Sequence, residues 1–474
     1  LGKIEQMLVN NESQQLFQTF TYAKQARQRF LNQFDSPMSE SITFNVQPGG
    51  SLRGEIRVPG DKSMSHRSIM LGSLAEGVTH VKGFLNAEDA LATLAAFRAM
   101  GVEIEGPVNG EVTIHGVGKH GLKQPKEPLY LGNSGTSMRL LSGLLAGQKF
   151  NTVLTGDRSL SSRPMKRVTT PLATMGAKIE TEEDGTAPLR ITGTAQLKAI
   201  DYLMPMASAQ VKSCMLLAGM YAEGETTVVE PAPTRDHTER MLNGFGYPVQ
   251  REGAKASITS EGKLTAANID VPSDISSAAF FLVGASIAPD SDVTLNHVGI
   301  NPTRTGIIDI LRLMGANIDV MNERSVGGEP VADLRVRSSQ LKGIVIPQEL
   351  VPLAIDEFPV LFVAAACAEG QTILTGAKEL RVKECDRIQV MADGLQALGV
   401  DAQATEDGMM IQGKPLDSIG GGEVDSHDDH RIAMSFSIAG LRATAPITIL
   451  DCENVNTSFP EFRDLAIQLG LNLK

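Results

Sequence analysis

The sequence predicts an α/β protein of two lobes, each made of three βαβαββ units, and three observations carry that expectation. First, Gly101, Gly176, Gly246, Gly315, Gly399 and Gly470 each follow a large apolar residue and recur at intervals of 69 to 84 residues, the sign of a structural repeat. Second, each glycine closes the same series: an Ala-, Gly- and Leu-rich helix, a short β-branched run, a polar turn and a second helix. Third, a two-strand pattern follows each of the first five glycines, as in Val102–Glu105 with Glu111–His115, where alternation marks half-buried strands.

The sixth unit stops at Lys474 without its later strands, and residues 42–46 and 52–58 supply what is missing. The chain then closes on itself. Residues 61–270 form one lobe, and residues 42–60 with 271–474 form the other. Crossings near Pro59-Gly60 and Val271-Pro272 join them, a geometry suited to hinge closure. Helices such as 214–221 and 359–368 are apolar nearly all round, so they belong inside each lobe.

Size and composition agree with this plan. A chain of 474 residues exceeds the roughly 250–300 residues at which single cores stop growing. With 42% hydrophobic residues and no apolar run near the roughly 18 needed to span a bilayer, no membrane segment is expected. A net charge of −12 argues against a nucleic-acid surface. Cations that bind an anion must then be gathered locally, so their positions are informative. Cys214, Cys367, Cys385 and Cys452 form no Cys-x-x-Cys pair, which points to a reducing, cytoplasmic setting without a disulfide framework or zinc site. Residues 1–41 read as a helical extension and linker, with apolar residues at helical spacing and neither a secretory core nor an Arg-rich transit pattern.

The chemistry gathers at two places in every unit. A strand runs into Gly60-Asp61-Lys62-Ser63-Met64-Ser65-His66-Arg67 and a helix leaves it. Free N–H groups at a helix start, the helix dipole and two cations make an anion site. The equivalent helix starts are Asn133 to Arg139, Ser208-Ala209-Gln210, Ser273-Asp274, Asp356-Glu357 and Asp429-His430-Arg431. The turns before the second helices hold Arg158 to Arg163, Thr234-Arg235-Asp236-His237, Asn301 to Arg304 and Arg381 to Arg387. Equivalent positions in stacked units reach one edge, so six helix starts face one cleft. Such a cleft holds at least two anionic groups, with arginines for bidentate grip and Asp356 and Glu384 as the acids and bases. His427-Asp428-Asp429-His430 reads as a helix start aiming Arg431 at the ligand, because four consecutive side chains cannot all face one metal ion. Gly420-Gly421-Gly422 lacks the Lys-Ser/Thr pair of a phosphate loop.

Gly60 to Arg67, Leu131 to Thr136, Arg163-Pro164-Met165, Arg381 to Arg387, Asp429-His430-Arg431 and Ser458-Phe459-Pro460 occur in order at matched spacing. With them, residues 42–474 resemble the 5-enolpyruvylshikimate-3-phosphate synthase family. The resemblance implies an enolpyruvyl transferase fold, an inside-out α/β barrel of two lobes. It also implies transfer of the enolpyruvyl group of phosphoenolpyruvate to the 5-hydroxyl of shikimate 3-phosphate, without metal or organic cofactor. By the same resemblance, Lys62, Ser63, Arg67, Ser208, Ala209, Gln210, Arg235, Asp356 and Lys383 hold shikimate 3-phosphate. Lys62, Gly135, Arg163, Gln210, Arg387 and Arg431 hold phosphoenolpyruvate, while Asp356, Glu384 and Lys62 handle protons.

Thr457 stands where many family members have Lys, and Ala209 replaces the second Ser of a common Ser-Ser-Gln. Both departures bear on ligand affinity. Gly135 leaves the phosphoenolpyruvate pocket wide, so glyphosate, an analogue of that substrate, is expected to inhibit. Residues 1–37 resemble the C-terminal tail of prephenate dehydrogenases, which implies such an enzyme fused ahead of this chain. Two alternative readings fit less well. UDP-N-acetylglucosamine enolpyruvyl transferase shares the six-unit fold, but its pattern has a Cys in the loop before Arg-Pro, and Gly156 to Ser162 holds none. A silent anion-binding domain is expected to have lost Asp356, Glu384 or Lys62, and all three are present.

Overall fold

The computed structural model describes residues 42–474 apart from 195, 327 and 416–418. The helices expected in residues 1–37 lie outside the described residues. The first half of the fold carries α1 (Lys62–Leu74), α2 (Glu88–Ala99), α3 (Gly135–Ala146), α4 (Lys166–Thr174), α5 (Ala209–Gly219) and α6 (His237–Gly244). The second half carries α7 (Ile275–Ile287), α8 (Gly306–Leu313), α9 (Phe358–Ala366), α10 (Arg387–Ala397), α11 (His430–Ala439) and α12 (Phe462–Leu469).

Odd and even helices differ in kind. Every residue of α7, α9 and α11 is buried, and these three helices pack on one another. Their Ala, Gly and Ser content lets backbones approach closely. The same is true of α3 and α5, where a Cβ on Gly143 would lie 2.1 Å from the Cys214 carbonyl oxygen. Even-numbered helices are only partly buried, and each ends at one of the repeat glycines. Those six glycines have φ between +78° and +117°. At each, the glycine N–H bonds to the carbonyl three residues back and the next N–H to the carbonyl five back, as in Gly101 to Arg98 and Val102 to Phe97. This left-handed stop, with an apolar residue packing behind it, is the reason the period is written in glycine.

Each unit adds a small sheet outside these helices. In the first unit, Glu76–Lys82 pairs antiparallel with Glu111–Val117, which pairs with Glu103–Val108. Its remaining neighbour is Asn268–Asp270, parallel, with Ile269 opposite Val81, so the end of the first half returns to its beginning. The second half closes through residues from the other side of the insertion. Phe44–Val46 pairs antiparallel with Ile447–Leu450, completing the sixth unit as expected. Arg53–Ile56 departs from the expectation: it pairs in parallel with Asp292–Gly299 and opens the sheet of the fourth unit. The physical reason is the repeat itself, since every unit's exit strand runs on to start the next sheet.

Buried apolar residues form two clusters. One runs from Met64 to Val271, and the other combines Phe44 to Val58 with Ile275 to Leu473. Where the chain crosses between them, the two segments are bonded together. Asp61 donates its N–H to the Pro272 carbonyl at 2.8 Å and Asp274 donates to Pro59 at 2.9 Å. A Cβ on Gly60 would sit 1.8 Å from the Gly83 carbonyl oxygen, so only glycine fits this crossing. Beneath it, buried Arg304 reaches Asp61 at 2.9 Å and Asp274 at 3.0 Å. These two aspartates cap α1 and α7, accepting from the Met64 and Ser276 N–H groups.

Candidate active site

All six odd-numbered helices aim their N-termini into one region. Asp61, Ser134, Ser208, Asp274 and Asp429 cap five of them through side-chain hydrogen bonds, and Glu357 precedes the sixth. The positive ends of six helix dipoles therefore converge. A narrow polar cavity of about 80 Å³ is lined from every one of these helix starts: Lys62 and Ser63, Gly135, Gln210, Asp274, Asp356 and Arg431. The turns before the even helices add Arg163, Arg235, Lys383, Glu384 and Arg387. A larger cavity of about 560 Å³ adjoins it, lined by Ser208 and Ala209 and sharing Gln210, Arg235, Asp356 and Lys383.

Thirteen residues expected from the sequence thus line two joined cavities. Arg67 lines neither. It lies buried behind the first turn of α1, where its guanidinium donates to the Thr238 hydroxyl at 2.7 Å, the Ser63 carbonyl at 2.9 Å and the Ser213 hydroxyl at 2.9 Å. Four residues after Ser63, it sits one helical turn below the opening. Thr457 is also buried, its hydroxyl donating to the Asn454 carbonyl. His427 to His430 do not converge on one point: Asp429 accepts from the Arg431 N–H and from Arg387 Nε at 2.8 Å each.

Two carboxylates organise the cations. Asp356 lies 2.5 Å from Arg235, 3.1 Å from Arg387 and 3.4 Å from Lys383, while Arg431 donates to its backbone carbonyl. Burial alone would raise its pKa, but Lys383, Arg235, Arg431 and Arg387 outweigh burial and hold it well below the usual carboxylate range. Glu384 lies 2.7 Å from Arg387 and 3.6 Å from Arg163. Here too burial is outweighed, by Arg387 and Arg163, and the carboxyl is held well below its usual range. Lys62 pairs with Asp89 at 3.0 Å. His430 is buried beside Lys62 and Arg431, and burial with those charges drives it well below the usual imidazole value, so the ring is neutral.

Several lining residues had no place in the sequence assignment. Arg139 donates to Gln210 Oε1 and among the described residues has no carboxylate ion-pair partner, and burial with nearby Arg167 and Arg163 pulls it down to about 10. Asp89, Arg167 and Glu379 also line the polar cavity, together with Arg304 and His430 from the turn and helix start already named. The Arg139 signal was present within the Asn133 to Arg139 helix start; Arg167 and Glu379 carried none, because their positions matter only once the two halves meet.

Among the described residues no helix is long and apolar enough to cross a membrane. A sequence model of the EPSP synthase (3-phosphoshikimate 1-carboxyvinyltransferase) family matches residues 46–465. The chain is 69% identical to the 3-phosphoshikimate 1-carboxyvinyltransferase of Methylococcus capsulatus over 435 residues, covering 92% of this chain and 99% of that protein. It is 68% identical to the enzyme of the same name from Hydrogenovibrio crunogenus over 441 residues, again 92% of this chain and 99% of the other. A solved EPSP synthase from Acinetobacter baumannii superposes with a TM-score of 0.82 at 64% identity, covering 91% of this chain and 99% of its own. The expected resemblance of residues 1–37 to prephenate dehydrogenases lies outside both the described residues and the family match. With the repeat, the converging helix starts and these relatives in agreement over the same residues, the chain belongs to the EPSP synthase family.

Proposed function

We propose that this chain transfers the enolpyruvyl group of phosphoenolpyruvate to the 5-hydroxyl of shikimate 3-phosphate, releasing phosphate. The observation that carries the reading is the cavity in which six helix N-termini and a ring of arginines and lysines surround two ionised carboxylates, Asp356 and Glu384. Lys62, Gly135, Arg163, Gln210, Arg387 and Arg431 hold phosphoenolpyruvate. Lys62, Ser63, Arg67, Ser208, Ala209, Gln210, Arg235, Asp356 and Lys383 hold shikimate 3-phosphate, Arg67 from its place behind Ser63. Arg139 and Arg167 add cations to the same cavity.

Asp356 takes the proton of the 5-hydroxyl as that oxygen bonds to C2 of phosphoenolpyruvate. Glu384, with Lys62 near it and protonated once bound substrate anions have raised its pKa, delivers a proton to C3, giving a tetrahedral ketal. The ketal then loses phosphate from C2, the departing oxygen taking up the proton held on Asp356, and Glu384 takes back the proton from C3, leaving the enol ether. Arginines stabilise the phosphate as it departs. A carboxylate held strongly ionised is a weak base and a poor acid. The substrates' phosphates and carboxylates neutralise Arg235, Arg387, Lys383 and Arg163, and the pKa values of Asp356 and Glu384 then rise toward the working range. Substrate binding itself arms the two carboxyls.

The two apolar clusters are the bodies that close, with residues 61–270 in one and residues 42–60 and 271–474 in the other, supported by the double crossing at Gly60 and Pro272. A cytoplasmic setting is part of the proposal, supported by four cysteines that form no disulfide. A prephenate dehydrogenase fused ahead of the chain rests on residues 1–37 alone and gains no support from the matched region.

The test is phosphate release from phosphoenolpyruvate with shikimate 3-phosphate as acceptor, beside UDP-N-acetylglucosamine. Turnover with the shikimate alone is the expected result. Turnover with the nucleotide sugar, or with neither, would overturn the reading.

A further inference from the structure

Besides Arg304–Asp61, Arg57–Asp270, His237–Glu329 and His297–Asp270, three ion pairs among the described residues join the two cores through the turns before the even-numbered helices, and these three are not equivalent. Arg235–Asp356 at 2.5 Å and Arg163–Glu384 at 3.6 Å join groups that the proposed substrates themselves engage. Anions entering the cleft compete for those arginines, so these pairs must loosen when the site fills. The third pair is Arg167–Glu379 at 2.9 Å. Arg167 stands on α4, whose Val168 and Leu172 belong to the first core, and Glu379 on a turn whose Leu380 belongs to the second. Both residues line the polar cavity, but neither is assigned a substrate contact or a proton transfer.

We propose that Arg167 and Glu379 form a latch that holds the two halves together around the bound substrates and, through Glu379, positions Lys383. The side chains are only 15% and 21% exposed, so the pair is less screened than a surface ion pair. Glu379 also has capacity to spare. Its Oε1 lies 3.8 Å from Lys383 Nζ, and its Oε2 is buried without a hydrogen-bond partner among the described residues. Lys383, one helical turn on, is in turn 3.4 Å from Asp356. The latch therefore ends on a cation that faces the reacting carboxylate. Without Glu379, Arg139, Arg163 and Arg167 of the first half would face Lys383 and Arg387 of the second across one small cavity with less to compensate them, and that repulsion would favour an open cleft.

The inference rests on the enolpyruvyl-transfer reading, but its first readout needs only binding of shikimate 3-phosphate, not turnover. The radius of gyration of protein saturated with shikimate 3-phosphate, from small-angle X-ray scattering, should increase in Glu379→Gln and in Arg167→Gln. The exchanged double variant, Arg167→Glu with Glu379→Arg, should return it to the parent value. In turnover assays, each single variant should raise KM for shikimate 3-phosphate by about tenfold, a typical coupling between closure and binding. kcat should change less, and the exchanged pair should recover KM. Unchanged scattering in both single variants would overturn the latch. A KM rise without expansion would also overturn it, since that marks direct substrate contact. Expansion without a KM rise would overturn the positioning of Lys383. If the parent chain fails to turn over shikimate 3-phosphate, the functional reading falls while the scattering result still decides the latch.

Discussion

The guanidinium of Arg235 and the carboxylate of Asp356 face each other at 2.5 Å from opposite cores. The pair holds the base ionised and also holds it back, because a proton acceptor clamped by cations has little affinity for a proton. Replacing Asp356 by Asn keeps its shape and removes only that acceptor. We expect kcat to fall by about 10²–10⁴, the span of general base catalysis, while shikimate 3-phosphate still binds in calorimetry. A kcat within fivefold of the parent would remove Asp356 from the chemistry.

The same clamp sets the pH dependence. Asp356 works ionised, and in the free enzyme the surrounding cations hold its pKa well below the usual value. The acid limb of kcat/KM should therefore fall below the ordinary aspartate pKa of about 3.9. Bound substrate anions cancel part of that positive field, so the acid limb of kcat should lie at higher pH. Coincident limbs would contradict the arming of Asp356 by substrate.

Gly135 makes a different claim on the cavity. A Cβ at this position would lie 3.1 Å from Arg139 and 3.3 Å from Arg163 at their guanidinium nitrogens. Both groups must give way in Gly135→Ala. KM for phosphoenolpyruvate should rise by up to about tenfold, the cost of one strained rotamer. Glyphosate should inhibit the parent chain below millimolar concentration and the variant less. Inhibition curves that superpose would rule out this account of the pocket.

Stability below neutral pH should trace Arg304. Asp61 is buried, which alone would raise its pKa, yet Arg304 and its neighbours bring it down to about 2. Its folded pKa is thus below the unfolded value of about 3.9, so its stabilisation is present above that pH and is lost as pH falls toward 2. The contribution is about 2–3 kcal/mol. Arg304→Met leaves Asp61 and Asp274 facing each other unpaired and should cost about 3–5 kcal/mol. Urea midpoints as a function of pH check both, and a midpoint unmoved by the substitution would sink the claim.

How far the sequence could be read depended on distance. The six helix ends were legible because a left-handed stop demands glycine within a few residues of the helix it ends. The helix starts were legible for the same local reason, through caps such as Asp61 and Ser134. Strand 53–56 was assigned to the chain closure but not to its true neighbour, since that neighbour is Asp292–Leu295, in a distant part of the chain. Arg67 was visible as a cation beside a phosphate-type turn, while the direction of its side chain was not. Arg167 and Glu379 are 212 residues apart, and no local pattern relates them.

The closure of the two cores by different parts of the chain also sets an order of events on the ribosome. Val271 completes the first core, and Asn268–Asp270 pairs back onto strand 76–82, so that half can finish while the rest is still being made. The other half cannot. Asn45 exchanges hydrogen bonds with Lys474, so strand 44–46 must stay unpaired for the roughly 10–40 s in which the last 200 or so residues are synthesised. The earliest described strand is thus among the last to be paired, and a chaperone that shields one segment of this protein during translation has its natural target in residues 44–46.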